Sequence, residues 1–191
     1  FVMSIFFDDF SEADLKACID GAYDEKFDTD VIAPLAKVGE DYYLELFHGP
    51  TIAFKDLALQ ILPHLMKKSA EMNANEKEIA ILTATSGDTG KAAMAGFADV
   101  SGTKIIVFYP KKGISAVQER QMVSVDGKNT CVVSVNGNFD DAQSGVKNIF
   151  ATLELPEGVK LSSANSINIG RLAPQVAYYF KTYRDLLLNG A

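Results

Sequence analysis

From residue 79 onward, short apolar runs alternate with longer amphipathic or small-residue stretches, and this alternation limits the fold more than any other feature of the chain. The runs at 79–83, 104–109, 130–135 and 159–163 have the length and β-branched content of buried strands. The stretches at 90–98, 115–125, 139–153 and 172–188 predict helices. In the third of them Ala142, Val146, Ile149, Phe150 and Leu153 share one face. A chain that returns from each strand through a helix pairs its strands in parallel, with right-handed crossovers and helices on both sheet faces. The fold class is therefore α/β. Ligands of such sheets bind beyond the carboxyl ends of the strands, which directs attention to the loops at 84–91, 110–115, 136–141 and 164–171.

The first 78 residues read differently, and the boundary with the region 79–191 falls near Asn73-Ala74-Asn75-Glu76. Ser11-Glu12-Ala13-Asp14 resembles a capping box that opens a helix ending near residue 23. Segments 34–38 and 42–47, joined by Gly39-Glu40-Asp41, predict a hairpin. Phe54, Leu57, Ala58, Ile61, Leu62, Leu65 and Met66 then keep helical spacing, with Pro63 expected to kink or interrupt the helix. Residues 1–7 are too short and lack the basic flank for a signal segment, and read as a docking segment. Starting at Phe1 and stopping just after a strong helical pattern, the chain is expected to be a piece of something longer.

Charge and composition exclude several functions. A net charge of −7 argues against binding the nucleic-acid backbone, and an anionic ligand would need a local positive site. No window approaches the ~20 apolar residues of a membrane span. Cys18 and Cys131 read as reduced core thiols of a cytoplasmic protein. With only those two cysteines, His48 and His64, no zinc-type ligand set is expected.

Three places can carry chemistry. Lys55 opens the 54–70 helix, where the positive helix end disfavours a cation. Apolar neighbours and burial there would lower its pKa toward that of a nucleophile or base, although on this residue alone a solvated lysine paired with Asp56 or Glu45 is the preferred reading. Thr85-Ser86-Gly87-Asp88-Thr89-Gly90 joins a buried strand to an Ala-rich helix. It offers hydroxyls, free N–H groups and glycines for close approach to a carboxylate or phosphate, or else a simple capped turn. Neither dinucleotide nor Walker-type spacing can be drawn through it. Asn165-Ser166-Ile167-Asn168-Ile169-Gly170-Arg171 gathers hydroxyl, amides and a guanidinium suited to a phosphate ester, or else a helix cap, with Lys111 and Lys112 adding charge at the same edge. Gly137-Asn138-Phe139-Asp140 reads as a helix cap.

Taken in order, His48-Gly49-Pro50-Thr51-Ile52-Ala53-Phe54-Lys55-Asp56, the loop 85–90, Gly113-Ile114-Ser115-Ala116-Val117-Gln118-Glu119, Phe139-Asp140-Asp141-Ala142-Gln143 and Asn165-Ser166-Ile167-Asn168 with Arg171 resemble the threonine synthase family. That family belongs to the fold type II, tryptophan-synthase-β-like enzymes and uses pyridoxal 5′-phosphate to convert O-phosphohomoserine and water to threonine and phosphate. The resemblance implies a nested, parallel-sheet βα domain at 79–191, attached to an N-terminal helix, hairpin and lysine helix.

It also implies roles for single residues. Lys55 would form the internal Schiff base and shuttle protons at Cα and Cβ. Ser86, Gly87, Thr89 and Gly90 would hold the substrate carboxylate, and Asp88 would lie near the cofactor's O3′, where many related enzymes carry Asn. Ser166 and Arg171, with Lys112, would bind the substrate phosphate. Members of the family carry a later Gly-rich loop for the cofactor phosphate, and nothing after Arg171 supplies it. The expectation is a fragment that needs the remainder of a longer chain and is inactive alone. Two other readings remain at this stage. One is a related lyase, such as a threonine dehydratase or a synthase-like phospholyase. The other is a non-catalytic anion-binding α/β domain.

Overall fold

The computed structural model describes residues 1–190. The chain runs through α1 (Val2–Phe6), α2 (Glu12–Ala22), β1 (Leu35–Val38), β2 (Asp41–Leu44) and α3 (Asp56–Met72). It then alternates as β3 (Glu78–Ala84), α4 (Asp88–Phe97), β4 (Thr103–Pro110), α5 (Ala116–Val123), β5 (Thr130–Val135), α6 (Phe139–Thr152), β6 (Val159–Ser162) and α7 (Ile169–Leu188). β1 and β2 form the antiparallel hairpin. The other four strands form one parallel sheet in the order β5-β4-β3-β6. Two crossovers step outward from β3 to β5, and the third returns to the opposite side of β3. The strand order therefore reverses between β3 and β6, and a crevice opens at such a switch point.

Alternation along the strands separates two cores. Ile79, Ile81, Ile105, Val107 and Tyr109 face one side, where they pack with Ala92, Ala93, Met94 and Phe97 of α4 and Met122 of α5. Leu82 and Ala84 face the other side and pack with Ala142 and Val146 of α6. Leu59 and Leu62 of α3 belong to the first core, so it runs across the junction near residue 78. Ile61 and Leu65 on another face of α3 pack with Leu15, Cys18 and Ala22 of α2 and Met3 of α1. The docking segment at the start of the chain is thus a short helix.

Two expectations need correction. Pro63 does not interrupt α3, which is continuous from Asp56 to Met72. Proline cannot donate to the Leu59 carbonyl one turn back. α4 packs closely over that carbonyl, since a Cβ at Gly96 would lie 2.2 Å from Leu59 O. Burial between α2 and α4 holds the helix together despite the missing bond. Cys18 is buried as expected, but Cys131 is exposed on the edge strand β5. No described helix is long and apolar enough to cross a membrane.

Candidate active site

A cleft of about 1000 Å³ opens at the carboxyl ends of β3 and β6, the place where the strand order reverses. Lys55 enters it from the start of α3, and Ser86 and Thr89 from the loop after β3. Ser166 and Arg171 enter from the segment after β6, while Gln143 and Lys147 belong to α6. Its cations are Lys55, Lys147 and Arg171, and no described carboxylate lines it. In a chain of net charge −7, this is a local positive site.

Lys55 occupies the cap position of α3 and has no capping side chain. Its ammonium is half-buried and donates to Thr89 Oγ1 at 3.0 Å. The two carboxylates that could have neutralised it are engaged elsewhere. Asp56 accepts from Thr51 N at 2.9 Å and from Thr51 Oγ1 at 2.6 Å, and Glu45 pairs with His48 at 2.8 Å. Burial first, and the nearby Arg171 guanidinium second, push the Lys55 amine below its ordinary range, against an opposing pull from Asp88. The start of α3 adds a positive dipole end. A larger fraction of free amine is what a nucleophile or proton carrier near neutral pH requires.

Arg171 is only 5% exposed, and burial lowers its pKa. Nη1 donates to Ala164 O at 2.9 Å, while the buried Nε has no partner among the described residues. An unpaired donor in a buried guanidinium costs about 1–3 kcal/mol until an acceptor arrives. An anion would be that acceptor. Ser86 and Ser166 stand exposed at the same cleft and place hydroxyls there.

The backbone around these groups is held by two polar clamps. The Asn165 side chain accepts from Ala84 N at 3.2 Å and donates to Ala84 O at 2.9 Å, which ties the loop after β6 to the end of β3. Thr85 Oγ1 accepts from both Gly87 N and Gly90 N at 2.9 Å. The amides of those two glycines therefore turn inward, and neither residue lines the cleft. Gly87 adopts φ +141°, and a Cβ at Gly90 would meet Thr85, Met122 and Val107 at 2.5–2.8 Å. Conformation and packing account for both glycines.

Asp88 and Lys112 also stand apart from the cleft lining. Asp88 accepts from Gln118 Nε2 at 2.9 Å and pairs with Lys91 at 3.2 Å. The Gln118 bond, with Lys91 behind it, keeps the carboxyl well below its usual range despite partial burial. Lys112 is exposed on the loop after β4. Conversely, Gln143, present in the sequence only as part of the family-like stretch 139–143 with no role of its own, and Lys147 also line the cleft. Their signal was the spacing 139, 143, 146, 147 and 150 on α6, which continues the cleft-lining face begun by Phe139.

No family model matches the chain. It is 40% identical over 194 residues to threonine synthase-like 1 of Homo sapiens, covering 95% of this chain and 26% of that protein. Against the threonine synthase of Pseudomonas aeruginosa it is 41% identical over 175 residues, covering 89% and 36% respectively. The crystal structure of pyridoxal-phosphate-bound threonine synthase from Brucella melitensis superposes with a TM-score of 0.81 at 41% identity, covering 91% of this chain and 37% of that one. The chain thus spans about a quarter to a third of the length of the relatives it matches. Over that span it shares their parallel-sheet fold.

Proposed function

We propose that this chain, a homologue of threonine synthases along most of its length, carries the lysine and the substrate cradle of a pyridoxal-phosphate-dependent lyase that converts O-phosphohomoserine and water to threonine and phosphate. The observation that carries the reading is the convergence of a half-buried, neutralisable amine and an unsatisfied guanidinium on one cleft without carboxylates.

The residues present fit the cofactor at its reactive end. Lys55 is an amine of lowered pKa in a cleft large enough for a cofactor and a small amino acid, and would hold the cofactor's aldehyde carbon through Nζ. When bound there, pyridoxal phosphate supplies an electron sink for the amino acid's Cα. The chain's own residues do the remaining work. Thr89 Oγ1 keeps Lys55 Nζ in place. The freed amine takes the proton from Cα and then serves Cβ, a contribution of about 10²–10⁴ in rate. Arg171 and Ser166 bind the phosphate and stabilise it as it departs from Cγ. Ser86 and Thr89 take the carboxylate at the open end of α4, where the amides of Asp88 and Thr89 have no acceptor among the described residues. Asp88, paired to Gln118 and Lys91, supports the loop.

The equal similarity to a protein named threonine synthase-like 1 supports a second reading, a related lyase that shares the phosphate cradle but releases another product. One experiment addresses both. The protein that carries this chain is mixed with pyridoxal phosphate, reduced with borohydride and digested, and its products from O-phosphohomoserine are identified. The expected result is an adduct on Lys55 that Lys55→Ala loses, with threonine and phosphate released in equal amounts. Phosphate release without threonine would favour the second reading, and the absence of an adduct would refute both.

A further inference from the structure

Lys147 of α6 has no part in the roles assigned so far, although it is a cation lining the cleft. Lys55 and Arg171 already donate within the protein, to Thr89 and to the Ala164 carbonyl. Lys147 makes no ion pair or hydrogen bond among the described residues. Its helix is pinned to the sheet by Ala142 and Val146, so its position relative to β3 is set by packing. Phe139 and Phe150 line the cleft on the same helix, and Gln143 stands one turn before Lys147. Of the acidic residues in the first turn of α6, Asp141 is held in the capping box with Asn138. Asp140 lies about 10 Å along the axis from Lys147, about one screening length in physiological salt.

A phosphate monoester carries about −1.5 to −2 charges near neutral pH. One buried guanidinium neutralises about half of that. A second cation is what separates a phosphorylated amino acid from its neutral hydroxy counterpart, since the latter places no charge at that end. We infer that Lys147 is a specificity-determining contact for the phosphate end of the substrate, closing the anion receptor from the α6 wall. This rests on the lyase reading above and adds to it the residue that selects for the phosphoryl group.

The test compares wild type, Lys147→Ala and Lys147→Arg in the protein that carries this chain. Two quantities are measured: steady-state kinetics on O-phosphohomoserine, and inhibition by inorganic phosphate. Loss of a solvent-accessible ion pair of about 1 kcal/mol corresponds to about fivefold in affinity. The expected result for Lys147→Ala is a rise of that size in KM and in the phosphate inhibition constant, a smaller change in kcat, and recovery in Lys147→Arg. Unchanged KM and phosphate inhibition would overturn the inference. So would a fall in kcat with both quantities intact, because that pattern belongs to a structural residue. If wild type forms no borohydride-trapped adduct on Lys55, the lyase reading has failed. Calorimetric titration of phosphate into wild type and Lys147→Ala then judges the anion contact alone, and equal affinities would overturn it.

Discussion

The four loops at the carboxyl edge of the parallel sheet divide into two that open onto the cleft and two that close on themselves. After β4 and β5, polar side chains cap the helix that follows, although Gln118 also donates to Asp88 of the loop after β3. Ser115 and Gln118 form a reciprocal cap on α5, and Asn138 and Asp141 form the same device on α6. After β3, the helix that follows has only Gly87 at its cap and no capping side chain, and α3, which brings in Lys55, is likewise uncapped. The loop after β6 is partly closed, with Asn168 capping α7, but it leaves Arg171 Nε unpaired. A ligand site on this scaffold is therefore recognised by donors left without acceptors. The presence of glycine alone does not separate them, since each of the four loops carries at least one.

The contrast can be broken at the two kinds of cap. Thr85→Val keeps shape but removes the acceptor shared by Gly87 N and Gly90 N, and should cost about 3 kcal/mol. Ser115→Ala on the closed side should cost only about 1 kcal/mol. Denaturant midpoints of the two variants check the ordering, and equal losses would remove the distinction between open and closed loops. Glycines sharpen it further. Gly90→Ala, facing three side chains, should destabilise by about 1–3 kcal/mol. Gly145→Ala on α6 meets nothing within 4 Å and should gain about 0.5–1 kcal/mol from helix propensity.

The smallest effect is a pH dependence on the open side. His48, seven residues before Lys55, bonds to Asp28 at 2.5 Å through one ring nitrogen and to Glu45 at 2.8 Å through the other. The bond to Glu45, then that to Asp28, raises its pKa above the ordinary value. The stabilisation is complete below the unfolded-state pKa of about 6.5 and is lost as pH rises through the higher folded value. Melting temperature against pH should show a fall in this window for wild type. His48→Gln should flatten it.

Most of the fold was legible because period and length both pointed one way, as in the four strands and the helices between them. Pro63 misled because a local rule was overridden by burial on two sides of α3. Cys131 misled because its strand lies at the sheet edge, a fact of strand order that no local pattern carries. In the site, Lys55, Ser86, Thr89, Ser166 and Arg171 come together. The amides of Gly87 and Gly90 look outward in sequence but turn to Thr85, a choice made by loop geometry. Lys147 was hidden in a helix whose apolar spacing drew attention to Ala142 and Val146 instead. Phe150 and Leu153, read with that face, remain 43% and 53% exposed.

The bond from Asn165 to Ala84 spans 81 residues, and β6 joins β3 over a similar distance along the chain. Closing so long a loop carries more entropy than any neighbouring crossover in the sheet, so this seam is among the dearest contacts for the chain to make. Along that seam the loop carrying Ser86 and Thr89 meets the loop carrying Ser166 and Arg171. Perturbations that leave β3, β4 and β5 paired can still part it, and catalytic competence should then be lost at milder denaturant than the bulk of the helical signal.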